Sequence, residues 1–272
     1  RAQVDPIILE LIQTRRQAVA SASDVDVLDT DLPRPLLDAL IHAKDASTGE
    51  GMNDTQLRDE VATLISAGHE TTSYALTWAC ALVAHHPAVQ VRLQAELDAF
   101  FATFFAGEKE LLELLNLPYL NAVWQETLRL YPTIPTAPRV CLQDTTLATS
   151  AGEVTISQGA RVLVSLYLIH RHPSYWSNED DFVPERFLKH HAVETNTKHK
   201  LAYMPFGAGE RFCVGRELAP LEGLIMLALC VHHMNFEHLP TLPEASVAIS
   251  LLPKQPVKVR VYARTPRISS GV

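Results

Sequence analysis

One cysteine of the chain stands in a setting suited to chemistry. The stretch Phe206-Gly-Ala-Gly-Glu-Arg-Phe-Cys-Val-Gly215 holds Cys213 among Gly207, Gly209 and Gly215, flanked by Phe206 and Phe212, ahead of an apolar helix. The free N–H groups and dipole of a helix start favour a negative charge nearby, which stabilises a thiolate. Glycines permit positive φ and let backbone approach a flat partner closely. Arg211 can reach an anionic group, and the two phenylalanines can shield the sulfur from water. A single thiolate with backbone N–H donors and apolar shielding is how sulfur holds a haem iron. The competing reading is a cysteine packed beside a turn; five constrained positions (Phe206, Gly209, Arg211, Cys213, Gly215) favour the first.

Three further spacings accompany it. Ala67-Gly-His-Glu-Thr-Thr72 puts a glycine inside a long helical pattern, where it costs roughly 1 kcal/mol against alanine and so calls for a reason. That reason is either space for a small ligand or a packing notch between helices. Glu126 and Arg129 lie three apart on a helix and share a face, so they can pair; alone the spacing is common on surface helices. Phe182-Val-Pro-Glu-Arg-Phe187 supplies Arg186, and Arg139 enters a strand-like segment.

Together these residues identify the sequence as resembling the cytochrome P-450 superfamily, over roughly residues 5–264. The loop fits F-x-x-G-x-R-x-C-x-G, and AGHETT, ExxR and PERF occur in the family's order. The resemblance implies a mainly α fold with a small β-sheet part, a P-450-like domain lacking the early helices and spanning residues 1–272. It implies haem b held through Cys213 as axial ligand, with Phe206, Gly209 and Gly215 shaping the loop and Arg211 and Arg139 on the propionates. Ala67 and Gly68 would leave room over the opposite haem face, Thr71 would hydrogen-bond bound oxygen, and Glu70 would relay protons. Glu126, Arg129 and Arg186 would form a buried scaffold network. Leu64, Ile65, Ile134, Thr136 and Ala137 would line the substrate pocket.

The elements that must position these groups can be read from periodicity and punctuation. Residues 5–20 form an amphipathic helix, an acidic loop follows, and Leu36–Lys44 is a short helix. Asn53 or Asp54 caps a helix of about 30 residues, 53–85, roughly 45 Å long and apolar enough to be buried for much of its length. Helices follow over Pro87–Ala106 and 118–131, the latter stopped by Pro132 and Pro135. Residues 139–165, rich in Val, Thr and Ile, read as two or three strands of one small sheet. The cysteine loop spans 206–215, a helix runs over 216–233, and the tail has strand-like alternation.

Composition narrows the function classes. The chain has 272 residues, 47% hydrophobic and 20% charged, ordinary for a globular protein. Its net charge of −8 gives a nucleic-acid role no electrostatic support. Cys80, Cys141, Cys213 and Cys230 are far apart in sequence, which argues against a disulfide framework or zinc site. The pairs His85-His86, His190-His191 and His232-His233 point in different directions on a helix and rarely chelate together. No apolar run reaches the roughly 18 residues of a membrane span. No signal peptide is read, and the sequence begins with Arg1, which leaves localisation and an N-terminal anchor open.

The expected function is therefore a haem-thiolate monooxygenase, an oxidoreductase inserting one oxygen atom from O2 into a lipophilic small molecule with electrons from a reductase or ferredoxin. The alternatives are a peroxide-dependent or hydroperoxide-rearranging haem-thiolate enzyme, or a non-catalytic haem-binding fragment completed by a missing N-terminal portion.

Overall fold

The computed structural model describes residues 4–21, 35–188 and 201–265; most of the acidic loop and the pair His190-His191 lie outside them. The chain divides into two compact units, Arg1–Glu70 and Thr71–Val272.

The first unit contains α1 (Asp5–Ser21), α2 (Leu36–His42) and the first half of α3 (Asp54–His85). Ile8, Ile12, Leu57 and Val61 form its core, with Leu37, Leu40 and Met52 packed against them. The helical spacing of these residues gives each helix one apolar stripe, and burying such a side chain contributes roughly 1.5–3 kcal/mol. Arg15 pairs with Asp38, and Arg58 with Asp5 at 2.8 Å. Asn53 caps α3: its Oδ1 accepts the Gln56 N–H at 3.0 Å, and its own N–H donates to Gln56 Oε1 at 3.0 Å. This reciprocal pair satisfies two backbone donors at the helix start.

In the second unit, α4 (Pro87–Phe105), α5 (Pro118–Leu130) and α7 (Leu218–His233) share one core with the second half of α3. Leu82, Leu93, Leu97, Leu120, Val123, Leu227 and Val231 are its centre. Proline opens both α4 and α5, where its missing N–H is no loss. The start of α5 has no local side-chain cap. Instead Glu96 of α4 accepts the N–H groups of Tyr119 and Leu120, both at 2.8 Å, through its two carboxylate oxygens. A carboxylate there also opposes the positive end of the helix dipole.

The β part is four separate two-stranded antiparallel sheets. The segment read as one small sheet contains four strands in two pairs. β1 (Thr136–Val140) runs against β4 (Arg161–Ser165), and β2 (Thr145–Thr149) forms a hairpin with β3 (Gly152–Ile156). A short helix, α6 (Leu166–Ile169), follows β4. β5 (Met234–Phe236) pairs with β8 (Val261–Ala263), and β6 (Ala245–Val247) with β7 (Leu251–Pro253). Gln90 of α4 serves as a backbone mimic for β5, donating to the Phe236 carbonyl at 3.1 Å and accepting its N–H at 2.7 Å.

α3 departs from the expectation of burial along much of its length. Leu57 and Val61 are buried near its start, and Ala75, Trp78, Ala79 and Ala81–Ala84 toward its end. Between them, residues 65–70 are exposed on every face of the helix. Ile65 and Ala67 are apolar there, but among the described residues no cover lies over them.

Candidate functional site

The most deeply buried part of the site is a charge network on α5. Glu126 and Arg129 are fully buried and meet through two bonds, Nε to Oε2 at 2.6 Å and Nη2 to Oε1 at 2.8 Å. Arg129 also donates to the carbonyls of His170 at 2.9 Å, Glu179 at 2.6 Å and Asp181 at 2.9 Å, so all five of its N–H groups are used. Glu126 Oε1 further accepts the Val183 N–H at 2.9 Å and Arg186 Nε at 3.2 Å. Arg186 then reaches the carbonyl of Asn178 at 2.8 Å. Asn178 is in the left-handed region at φ 46°, which asparagine tolerates better than most residues. One carboxylate and two guanidiniums thus gather the loop carrying residues 178–186 onto α5.

The cysteine loop is built differently, almost wholly from backbone. Met204 accepts the Gly207 N–H at 2.9 Å, Gly209 accepts the Phe212 N–H at 3.2 Å, and Phe206 accepts the Cys213 N–H at 2.8 Å. Gly207 and Gly209 have φ 73° and 74°, the region where any other residue is strained. Arg216 N–H reaches the Cys213 carbonyl at 3.4 Å and Ala219 N–H the Gly215 carbonyl at 2.9 Å. The regular helix begins at Leu218, two residues later than the sequence suggests, and helix-like turns from Val214 to Glu217 bridge the gap. Cys213 is exposed, as are Phe212 and Val214, and the Arg216 guanidinium lies 4.5 Å over the Phe212 ring. Phe206 is half-buried against the second unit's core.

The other predicted residues are placed as follows. Arg211 is exposed in the turn Gly209–Arg211. Arg139 is exposed on β1, opposite Val162, and donates to the carbonyl of its neighbour Pro138 at 2.9 Å. Thr136 and Ala137 are in β1, which begins three residues before the strand region read from the sequence, and Ile134 precedes it, half-buried. Leu64, Ile65, Ala67, Gly68 and Glu70 belong to the first unit and Thr71 to the second, all on α3. A Cβ at Gly68 would meet no atom within 4 Å.

Several positioning residues carry no sequence signal that would have found them. Trp78 stacks on Tyr131 at 3.9 Å and donates to the Leu251 carbonyl at 3.1 Å, while Leu251 N–H donates to Thr133 at 2.8 Å. These contacts tie α3, the turn before β1 and the β6–β7 hairpin together. Gly223 lets α7 lie against Trp124, since a Cβ there would fall 2.1 Å from the indole. The thiols of Cys80 and Cys230 influence one another. The Cys230 thiol and burial raise Cys80, and the Cys80 thiol lowers Cys230.

The profile of the cytochrome P450 family matches residues 1–261. The chain belongs to the cytochrome P450 family. It is 36% identical over 245 residues to a steroid 17-alpha-hydroxylase/17,20 lyase of Ictalurus punctatus, covering 86% of this chain and 46% of that protein. It is 35% identical over 208 residues to the bifunctional cytochrome P450/NADPH–P450 reductase 2 of Bacillus subtilis (strain 168), covering 74% of this chain and 18% of that one. The chain thus spans about half the length, or less, of these P450 relatives. Among solved structures, a cytochrome P450 superposes with a TM-score of 0.82 at 28% identity, over 97% of this chain and 56% of that one. The cytochrome P450DA heme domain gives 0.80 at 28% identity, over 100% and 56%. The fold is that of the later, larger portion of a P450 domain.

The residues present fit a haem. The loop offers one exposed thiol, apolar neighbours in Phe206, Phe212 and Val214, and an exposed cation in Arg211. A sulfur donor with apolar flanks and a nearby guanidinium suits an iron porphyrin with carboxylate arms.

Proposed function

We propose that this chain is the cofactor-bearing part of a haem-thiolate monooxygenase, with haem b on Cys213. The observation that carries the reading is the loop itself: an exposed thiol on a backbone-bonded, positive-φ turn, directly before α7. When bound, the haem supplies activation of O2, with the thiolate donating electron density to the iron.

The chain's own residues then have distinct tasks. The turns at Gly207 and Gly209 hold the sulfur outward without a side-chain wall. Arg211 and Arg139 are exposed cations suited to the two carboxylate arms. Ala67 and Gly68 are small residues on α3 that would leave room for the cofactor, and Thr71 and Glu70 would provide a hydroxyl and a carboxylate able to hold and pass protons there. Leu64 and Ile65 on α3, and Ile134, Thr136 and Ala137 around the start of β1, are each candidate substrate contacts, and their mostly apolar character suits a lipophilic substrate. Electrons come from an electron-donor protein, a reductase or a ferredoxin. The steroid hydroxylase and the reductase-fused relative support this assignment of substrate class and partner.

The test is the absorption spectrum of the chain with added haem, reduced and exposed to CO, beside Cys213→Ser. A strongly red-shifted Soret band in the wild type that is absent in the variant is expected. A haem complex unchanged by the substitution removes Cys213 as the ligand and overturns the proposal.

A further inference from the structure

We infer that His170 is a positioning residue for the cysteine loop: its Nε2 accepts the Met204 N–H and fixes where the chain enters Phe206–Cys213. The inference rests on the reading of Cys213 as the haem ligand. His170 ends α6 and is fully buried. Its Nε2 is 3.0 Å from the Met204 nitrogen. A backbone N–H can only donate, so Nε2 carries a lone pair and Nδ1 carries the proton. Nδ1 is buried with no hydrogen-bond partner among the described residues. An unpaired buried donor lowers stability, so what the ring contributes here is the acceptor at Nε2.

From Met204 the bonding continues to the sulfur-bearing residue. The Met204 carbonyl takes the Gly207 N–H at 2.9 Å, and the Phe206 carbonyl takes the Cys213 N–H at 2.8 Å. On its other side, the carbonyl of His170 accepts Arg129 Nη1 at 2.9 Å. His170 therefore joins the buried charge network to the cysteine loop, through its carbonyl to one and its ring to the other. Tyr203 braces the same entry, with its hydroxyl on the Gln125 carbonyl at 3.1 Å and its ring 5.4 Å from the imidazole. Burial keeps the ring neutral, outweighing the backbone of Arg129 and of Leu128, which favour its protonation, while the charges of Arg129 and Arg171 oppose it.

The experiment compares wild type, His170→Leu, His170→Gln and Cys213→Ser in the full chain. Amide exchange is followed across Met204–Gly207, and the reduced CO spectrum is recorded with added haem. Leucine removes the acceptor, whereas the glutamine oxygen restores one at a similar reach. Exchange about tenfold faster in His170→Leu, with a smaller share of red-shifted band, is expected, both returning toward wild type in His170→Gln. Unchanged exchange in His170→Leu, or no recovery with glutamine, overturns the inference. If His170→Leu does not fold, imidazole nitrogen NMR of the wild type decides: an unprotonated Nε2 supports the assignment and a protonated Nε2 overturns it. A wild-type spectrum identical to Cys213→Ser removes the haem-ligand reading instead, while exchange and NMR still judge the role of His170.

Discussion

The charge network on α5 and the cysteine loop lie within one unit, yet they are held in opposite ways. Glu126, Arg129 and Arg186 are buried and use side chains to satisfy backbone carbonyls from a distant loop. Cys213 is exposed and is placed by its own backbone, with turns at Gly207 and Gly209 in place of a packed shell. The first arrangement stores stability, and the second leaves a reactive atom open to a partner. The difference teaches that stability and chemistry can be removed separately.

The largest effect tests the network. Glu126→Ala leaves two buried guanidiniums without their carboxylate, and denaturant unfolding is expected to show a loss of about 3–5 kcal/mol. A loss under 1 kcal/mol would mean that the scaffold stands without its charges. The next effect concerns the bridge between the two regions. Burial, first of all, lowers His170 to about 4 in the folded state, against about 6.5 in an unfolded chain. The unfolded chain binds a proton over that interval while the folded one does not. Stability is therefore complete above pH 6.5 and falls as pH drops toward 4, by roughly 3 kcal/mol. The slope should become shallower in His170→Gln, keeping the part that His86 and His232, also lowered by burial, contribute; an unchanged slope would assign all of it to those other groups.

The loop itself gives smaller numbers. Gly207→Ala keeps the space, because the nearest atom to a new Cβ is 3.9 Å away, but forces a side chain to φ 73°. A loss of about 1–2 kcal/mol is expected from this strain alone, measured by thermal unfolding. Cys213→Ser should change stability by less than about 0.5 kcal/mol, as an exposed position does. A large loss there would place the sulfur in the scaffold and erase the contrast.

What the sequence disclosed follows the same division. Local punctuation is readable: Pro87 and Pro118 open helices, and the glycines of the cysteine loop announce positive φ, which depends on a few adjacent residues. The pairing of Glu126 with Arg129 is readable from helical spacing, whereas the full set of carbonyls around Arg129 is not, since they arrive from residues 170–181. Nothing local marks Gly223 as the seat of Trp124, Glu96 as a cap for a helix 23 residues on, or His170 as a hydrogen-bond acceptor. Each depends on tertiary contact rather than on period. The exposure of residues 65–70 was hidden for the same reason, because an apolar stripe records a tendency and not the presence of a neighbour. The split of the region after Val140 into two strand pairs likewise rests on pairing partners, which strand propensity does not encode.

The cap that Glu96 provides has a consequence for how the molecule assembles. A helix closed by its own residues can form before it meets anything, but α5 has its first amides answered only when α4 lies alongside. The two helices are therefore expected to gain order together, as a single cooperative step over a short stretch of chain. Because α5 carries Glu126 and Arg129, that step would also fix the anchor onto which the later loop, and finally the cysteine turn, can settle. The sequence of folding events would then run in the same direction as synthesis, from α4 toward the thiol.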